Sequence, residues 1–106
     1  MREMNAAALH AYLQQCDPPP LLLDVRQPWE FDICHIEGSR LIPMGQLPRK
    51  LAELDPGQEI VVICHHGIRS RQVGHYMESQ GFERIINLSG GVEQWAREVD
   101  PQMATY

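Results

Sequence analysis

Apolar residues in this chain fall into short continuous runs, separated by stretches whose apolar positions repeat at helical spacing. The runs Leu21-Leu22-Leu23-Asp24-Val25, Arg40-Leu41-Ile42, Glu59-Ile60-Val61-Val62-Ile63 and Arg84-Ile85-Ile86-Asn87-Leu88 are too short for helices and read as strands. Residues 2–4 form a candidate fifth strand. Asp55-Pro56-Gly57 makes a turn into the third run, and Gly81 precedes the fourth. Between the runs, a helix over residues 6–14 is capped by Asn5, carries Leu9, Tyr12 and Leu13 on one face, and stops before Pro18-Pro19-Pro20. Residues 28–33 place proline where a first helical residue tolerates it. Further helices are predicted over 46–54, over 69–80 with Val73, Tyr76 and Met77 on one side, and in a last segment lined by Val92, Trp95, Ala96 and Val99.

Short apolar strands alternating with helices predict an α/β fold: a parallel sheet of about five strands with helices on both faces, in three layers. One such domain accounts for residues 1–106. Sheets of this kind hold ligands at the carboxyl ends of their strands.

Composition narrows the function classes. No uninterrupted apolar run reaches the roughly 18 residues of a membrane span. The first residues carry no apolar leader, so a cytoplasmic location is expected. A net charge of −5 argues against general nucleic-acid binding. The cysteines Cys16, Cys34 and Cys64 contain no C-x-x-C pair, which reads as free thiols rather than a zinc cage or a disulfide framework.

The candidate chemistry sits in Cys64-His65-His66-Gly67-Ile68-Arg69-Ser70, between the most uniformly apolar strand and a helix. A sulfur there faces the free N–H groups and positive end of the helix, which favours thiolate over thiol. Gly67 lets the loop curl. No acidic residue occurs from Cys64 through Met77, whereas Arg69, Arg71 and three histidines do, so a local positive island is expected to attract an anion. The plain alternative is an inert buried cysteine at a strand end. Arg69 could clamp the anion or tie the loop to nearby carbonyls. Asp24 and Arg26 read as an ion pair bracing the loop. Adjacent side chains are expected to diverge, so His65 and His66 do not suggest a metal site. His35 reads as a structural hydrogen-bonding residue, Gly90-Gly91 as a tight turn, and Trp95 as a core anchor.

In three motifs the chain resembles the rhodanese family. They are Asp24-Val25-Arg26 with Glu30-Phe31, His35-Ile36-Glu37-Gly38-Ser39 and Ile42-Pro43; the Cys-x-x-Gly-x-Arg-Ser loop at Cys64–Ser70; and Leu88-Ser89-Gly90-Gly91 with Trp95. The resemblance, closest in length to the one-domain glycerol-regulon type, implies a thiosulfate sulfurtransferase. Cys64 would carry the sulfur as a persulfide, and the amides of residues 65–69 (His65, His66, Gly67, Ile68 and Arg69) would hold its outer atom. Asp24, Arg26 and Ser70 would brace the loop. Implied partners are a small anionic donor such as thiosulfate and an acceptor that is cyanide, a thiol or a sulfur-carrier protein; no metal or organic cofactor is implied. The chain departs from the family at Cys34, where glycine is usual and a small buried residue is favoured over a resolving thiol. It also has His65 and His66 where many thiosulfate users place arginine or lysine; histidine is only partly charged at pH 7, so thiosulfate is expected to be a weaker donor.

Two other classes compete. Cysteine phosphatases place five residues between cysteine and arginine to cradle a phosphate, whereas four lie between Cys64 and Arg69. Non-catalytic rhodanese-like binding modules typically lack the loop cysteine, and this chain keeps it.

Overall fold

The computed structural model describes residues 1–106. In chain order it contains β1 (Arg2–Met4), α1 (Ala6–Leu13), β2 (Leu21–Asp24), α2 (Pro28–Ile33), β3 (Arg40–Leu41), α3 (Leu47–Lys50), a 3₁₀ turn (Leu51–Glu53), β4 (Ile60–Ile63), α4 (Ile68–Ser79), β5 (Ile85–Leu88) and α5 (Gly91–Glu98). All pairings are parallel, in the order β1-β5-β4-β2-β3. The expected α/β sheet of five strands is present, including the edge strand at Arg2–Met4.

The strand residues alternate between two core layers because successive side chains of a strand point to opposite faces. Leu23, Val25, Val62, Cys64 and Ile85 pack with Leu47, Val73 and Met77, so α3 and α4 cover one face. Leu22, Val61, Ile63, Ile86 and Leu88 pack with Ala6, Leu9, Val92 and Trp95, so α1 and α5 cover the other. A sheet buried on both faces requires near-continuous apolar strands, and that is why β4 reads Ile-Val-Val-Ile with all four residues buried.

The bounds of three helices differ from the sequence expectation. The segment 46–54 splits into α3 and a 3₁₀ turn rather than one helix. The first helix ends at Leu13. Helix α4 starts one residue early, at Ile68, because Gly67 adopts φ +95° and closes the loop sooner. No helix is long and apolar enough to cross a membrane.

Candidate active site

β4 is central in the sheet, between β5 and β2, so the loop leaving its carboxyl end emerges where both neighbours contribute side chains. Cys64 follows directly and is only 1 % exposed. Two amides of the following turn point back at its sulfur: Gly67 N–H donates to Sγ over 3.1 Å and Ser70 N–H over 3.3 Å. Ser70 Oγ lies 3.3 Å from Sγ. The amides of His65, His66, Ile68 and Arg69 make no hydrogen bond within the protein. Cys64, His65, His66, Ile68 and Arg69 line an open depression of about 270 Å³. The arrangement is a shallow basin with sulfur at its floor and uncommitted N–H donors in its lining residues. Such a set of donors suits a small anion or a polarisable sulfur.

The loop is held from behind by the third sequence motif. The amides of Val92 and Glu93, at the start of α5, donate to the carbonyls of Cys64 and His65 over 3.0 and 3.2 Å. Gly91 allows this approach: its φ is +58°, and a methyl group there would collide with both carbonyls. Gly67 is also constrained, though less tightly, since at φ +95° a methyl would press on the backbone of Leu88, Ser89 and Gly90. The Gly90-Gly91 turn is therefore part of the site's scaffold. It engages the carbonyls of Cys64 and His65 and takes up none of the loop's N–H groups.

Asn87, which the sequence analysis did not single out, holds the loop from below. It is fully buried on β5. Its Nδ2 donates to Gly67 O over 3.2 Å and to Glu3 Oε1 over 2.8 Å, while Oδ1 accepts from the Ser70 hydroxyl. One amide thus secures both residues whose N–H groups reach Sγ. The available signal was a polar residue inside an otherwise apolar strand run.

Arg69 does not tie the loop to nearby carbonyls. Its two terminal nitrogens engage the Glu30 carboxylate at 2.9 and 2.8 Å. Glu30 is buried on α2, and its carboxylate also accepts from Gln27 N–H and from the Tyr106 hydroxyl, each at 2.9 Å. The Arg69 guanidinium above all, with these further donors, holds the Glu30 carboxyl down at about 2, against the opposing effect of burial. A carboxyl whose folded value is depressed contributes stability above its ordinary range near 4.5 and loses it as pH falls towards 2. Melting temperature followed from neutral pH to about pH 2 is therefore expected to fall less steeply in Glu30→Gln than in the native protein over this acid window. Parallel slopes would contradict the assignment.

Asp24 and Arg26 form a completely buried pair, with Nη2 and Oδ2 2.7 Å apart. The pair braces α2 rather than the cysteine loop itself: Arg26 donates to the carbonyls of Glu30 and Cys34 and to the Tyr106 hydroxyl. Its link to the loop runs through Glu30 and Arg69. Burial, more than the hydrogen bond to Glu30, pushes the Tyr106 hydroxyl up to about 12, so it stays protonated and able to donate.

The positive island is neutralised by carboxylates brought from elsewhere. Arg69 pairs with Glu30, Arg71 with Glu3, His66 with Glu93 and His75 with Glu78. His65 stacks on Tyr106 with ring centroids 4.0 Å apart, and burial pushes its imidazole below the ordinary value, towards the neutral form. The two adjacent rings do not diverge as expected: their centroids are 4.0 Å apart, although each ring has its own partner. No group of three or more His, Cys, Asp or Glu side chains converges as a metal set. Ile68 stands exposed on the rim. His35 accepts the structural role expected of it, with Nδ1 2.8 Å from Phe31 O. Cys34 is buried in the α1–α5 core layer, whereas Cys64 belongs to the α3–α4 layer, so the two sulfurs lie on opposite sides of the sheet. That separation favours the small buried residue over a resolving thiol.

The family model for a rhodanese-like domain matches residues 5–98. This chain belongs to the rhodanese family. It is 33 % identical over 88 residues to thiosulfate sulfurtransferase GlpE of Tolumonas auensis, covering 83 % of this chain and 82 % of that protein. Longer relatives include Rhodanese-like/PpiC domain-containing protein 12 of Arabidopsis thaliana, 32 % identical over 114 residues and 100 % of this chain. They also include the putative sulfur carrier protein YrkF of Bacillus subtilis, 36 % identical over 95 residues and 88 % of this chain. The chain spans only 38 % and 51 % of those two proteins. Among solved structures, the rhodanese-like domain protein of Staphylococcus aureus superposes with TM-score 0.84 at 28 % identity, over 93 % of this chain and 95 % of that one.

Proposed function

We propose that residues 1–106 act as one rhodanese domain that moves a sulfane sulfur through a persulfide on Cys64, from an anionic donor such as thiosulfate to cyanide, a thiol or a sulfur-carrier protein. The observation that carries this reading is the basin itself. Its sulfur already receives two backbone N–H groups, and four further amides in the lining are free. In the first half-reaction the Cys64 thiolate attacks the outer sulfur of thiosulfate. A new S–S bond forms to Sγ, the donor's S–S bond breaks, and its electron pair leaves with sulfite. The outer sulfur then carries the negative charge, within reach of the free amides. In the second half-reaction an acceptor nucleophile bonds to that outer sulfur, and the Sγ–S electron pair returns to Cys64.

Arg69, Glu30, Asp24 and Arg26 take no part in bond making on this reading. They hold α2 and the loop in register. Because each side-chain cation near the basin already has a carboxylate partner, attraction of the donor rests on backbone dipoles. This supports thiosulfate as a weak donor and leaves room for a neutral-surfaced carrier protein. The three cysteines are free thiols, which suits a reducing compartment such as the cytoplasm.

Intact mass spectrometry tests the proposal. After incubation with thiosulfate the protein is expected to gain one sulfur atom, and cyanide is expected to remove it with formation of thiocyanate. Release of phosphate from an aryl phosphate, with no sulfur gained from any sulfane donor, would overturn it.

A further inference from the structure

The hydrogen bonds beneath Cys64 have only one consistent direction. Glu3 Oε1 and Gly67 O can only accept, and both face one end of the Asn87 amide, so that end is the NH2 group. The opposite end, Oδ1, is then an acceptor, and the Ser70 hydroxyl must give it the only hydrogen it has. The lone pairs of Ser70 Oγ are left to face Sγ, which is positioned to donate its S–H to them. A hydroxyl beside a catalytic sulfur could stabilise a thiolate by donating to it. Here Asn87 prevents that: turning the hydroxyl towards Sγ would leave a fully buried Oδ1 unpartnered.

We infer that Asn87 is a positioning residue which fixes the Ser70 hydroxyl as an acceptor towards Cys64, so that charge on the empty sulfur is disfavoured relative to charge on the outer atom of a persulfide. The inference deepens the proposed sulfurtransferase reading and rests on it. In the unloaded site a thiolate meets the Gly67 and Ser70 amides but also an oxygen lone pair. In the persulfide, Sγ is bonded to sulfur and uncharged, and the negative charge lies one atom outward, away from Ser70 Oγ and towards the free amides of the basin. The chain therefore favours loading over the free thiolate.

The other charged or titratable groups around Cys64 are Arg69 and Arg71 on α4, His65 and His66 in the loop, Glu30 on α2, the Asp24–Arg26 pair after β2, Glu93 on α5, Glu3 on β1 and Tyr106. Replacing Asn87 or Ser70 leaves all of them in place, and only Glu3 loses a direct partner.

The test is the rate at which iodoacetamide alkylates Cys64, followed across the acid limb of the pH profile, in the native protein, Asn87→Leu and Ser70→Ala. Asn87→Leu frees the hydroxyl to donate, and Ser70→Ala removes the opposing lone pair. Both are expected to alkylate faster on that limb, by about fivefold, the factor corresponding to one net hydrogen bond. A merely structural role predicts the opposite sign, because a loosened loop withdraws the two amides from Sγ. Slower or unchanged alkylation in folded Asn87→Leu overturns the inference. If that variant fails to fold, the same outcome in Ser70→Ala, which removes one oxygen atom, overturns it. Alkylation needs no sulfur donor, so this result is separable from failure of the sulfurtransferase reading, which the mass measurement on the native protein reports.

Discussion

Cys64→Ser is expected to take up no sulfur and to lose thiosulfate–cyanide transfer by at least about a thousandfold, the scale seen when an enzyme's sole nucleophile is removed. The reason lies in one atom. Serine fits the same floor position, and the Gly67 and Ser70 amides can donate to its oxygen as they do to Sγ. Its hydroxyl does not ionise near neutral pH, and its one side-chain neighbour, the Ser70 hydroxyl, can accept a hydrogen bond from it but is too weak a base to remove its proton. An inert oxygen therefore sits in an intact basin. Thermal melting should change little, which separates lost chemistry from lost fold. Retained transfer in the serine variant, measured as thiocyanate formed, would move the reaction to another residue.

The largest loss of stability is expected at the Asp24–Arg26 pair. Both side chains are 0 % exposed. Arg26 uses its remaining donors on Glu30 O, Cys34 O and the Tyr106 hydroxyl. Asp24→Ala strands a guanidinium in the interior, a change that costs about 3–5 kcal/mol. In a domain of this size such a cost lowers Tm by at least about 12 °C. The exposed pair Arg40–Glu53, with a similar 2.7 Å separation, provides the control. Its removal should cost about 1 kcal/mol or less, because solvent screens it and flexible side chains are freed. Replacing both buried partners with apolar residues should recover much of the loss, since the penalty comes from an unpaired charge rather than from a missing attraction. Equal melting shifts for Asp24→Ala and Arg40→Ala would show that burial of the first pair carries no extra weight.

Local patterning made the sheet and the cysteine loop legible. A run such as Ile60-Val61-Val62-Ile63 has few alternatives to a strand buried on both faces, and a glycine three residues after a strand-end cysteine marks a turn. Charge was harder to read. The stretch from Cys64 to Met77 looks cationic in one dimension, yet Glu3, Glu30, Glu93 and Glu78 neutralise it. Three of these four carboxylates come from separate elements and the fourth lies just past the stretch. Nothing near Arg69 in the chain points to Glu30, which is separated from it by 39 positions. Asn87 left a trace as a polar interruption of β5, and Tyr106 left none.

The order of apolar runs, turns and glycines was enough to define the α/β architecture and to place a thiol at the head of a helix, because strand periodicity and turn conformation are properties of neighbouring residues. The direction of the hydrogen bonds under that thiol, the partner of Arg69 and the neutrality of the basin arose only on folding. Each depends on groups from β1, α2, β5 or α5 meeting around β4, and their pairing is a matter of distance in space rather than along the chain.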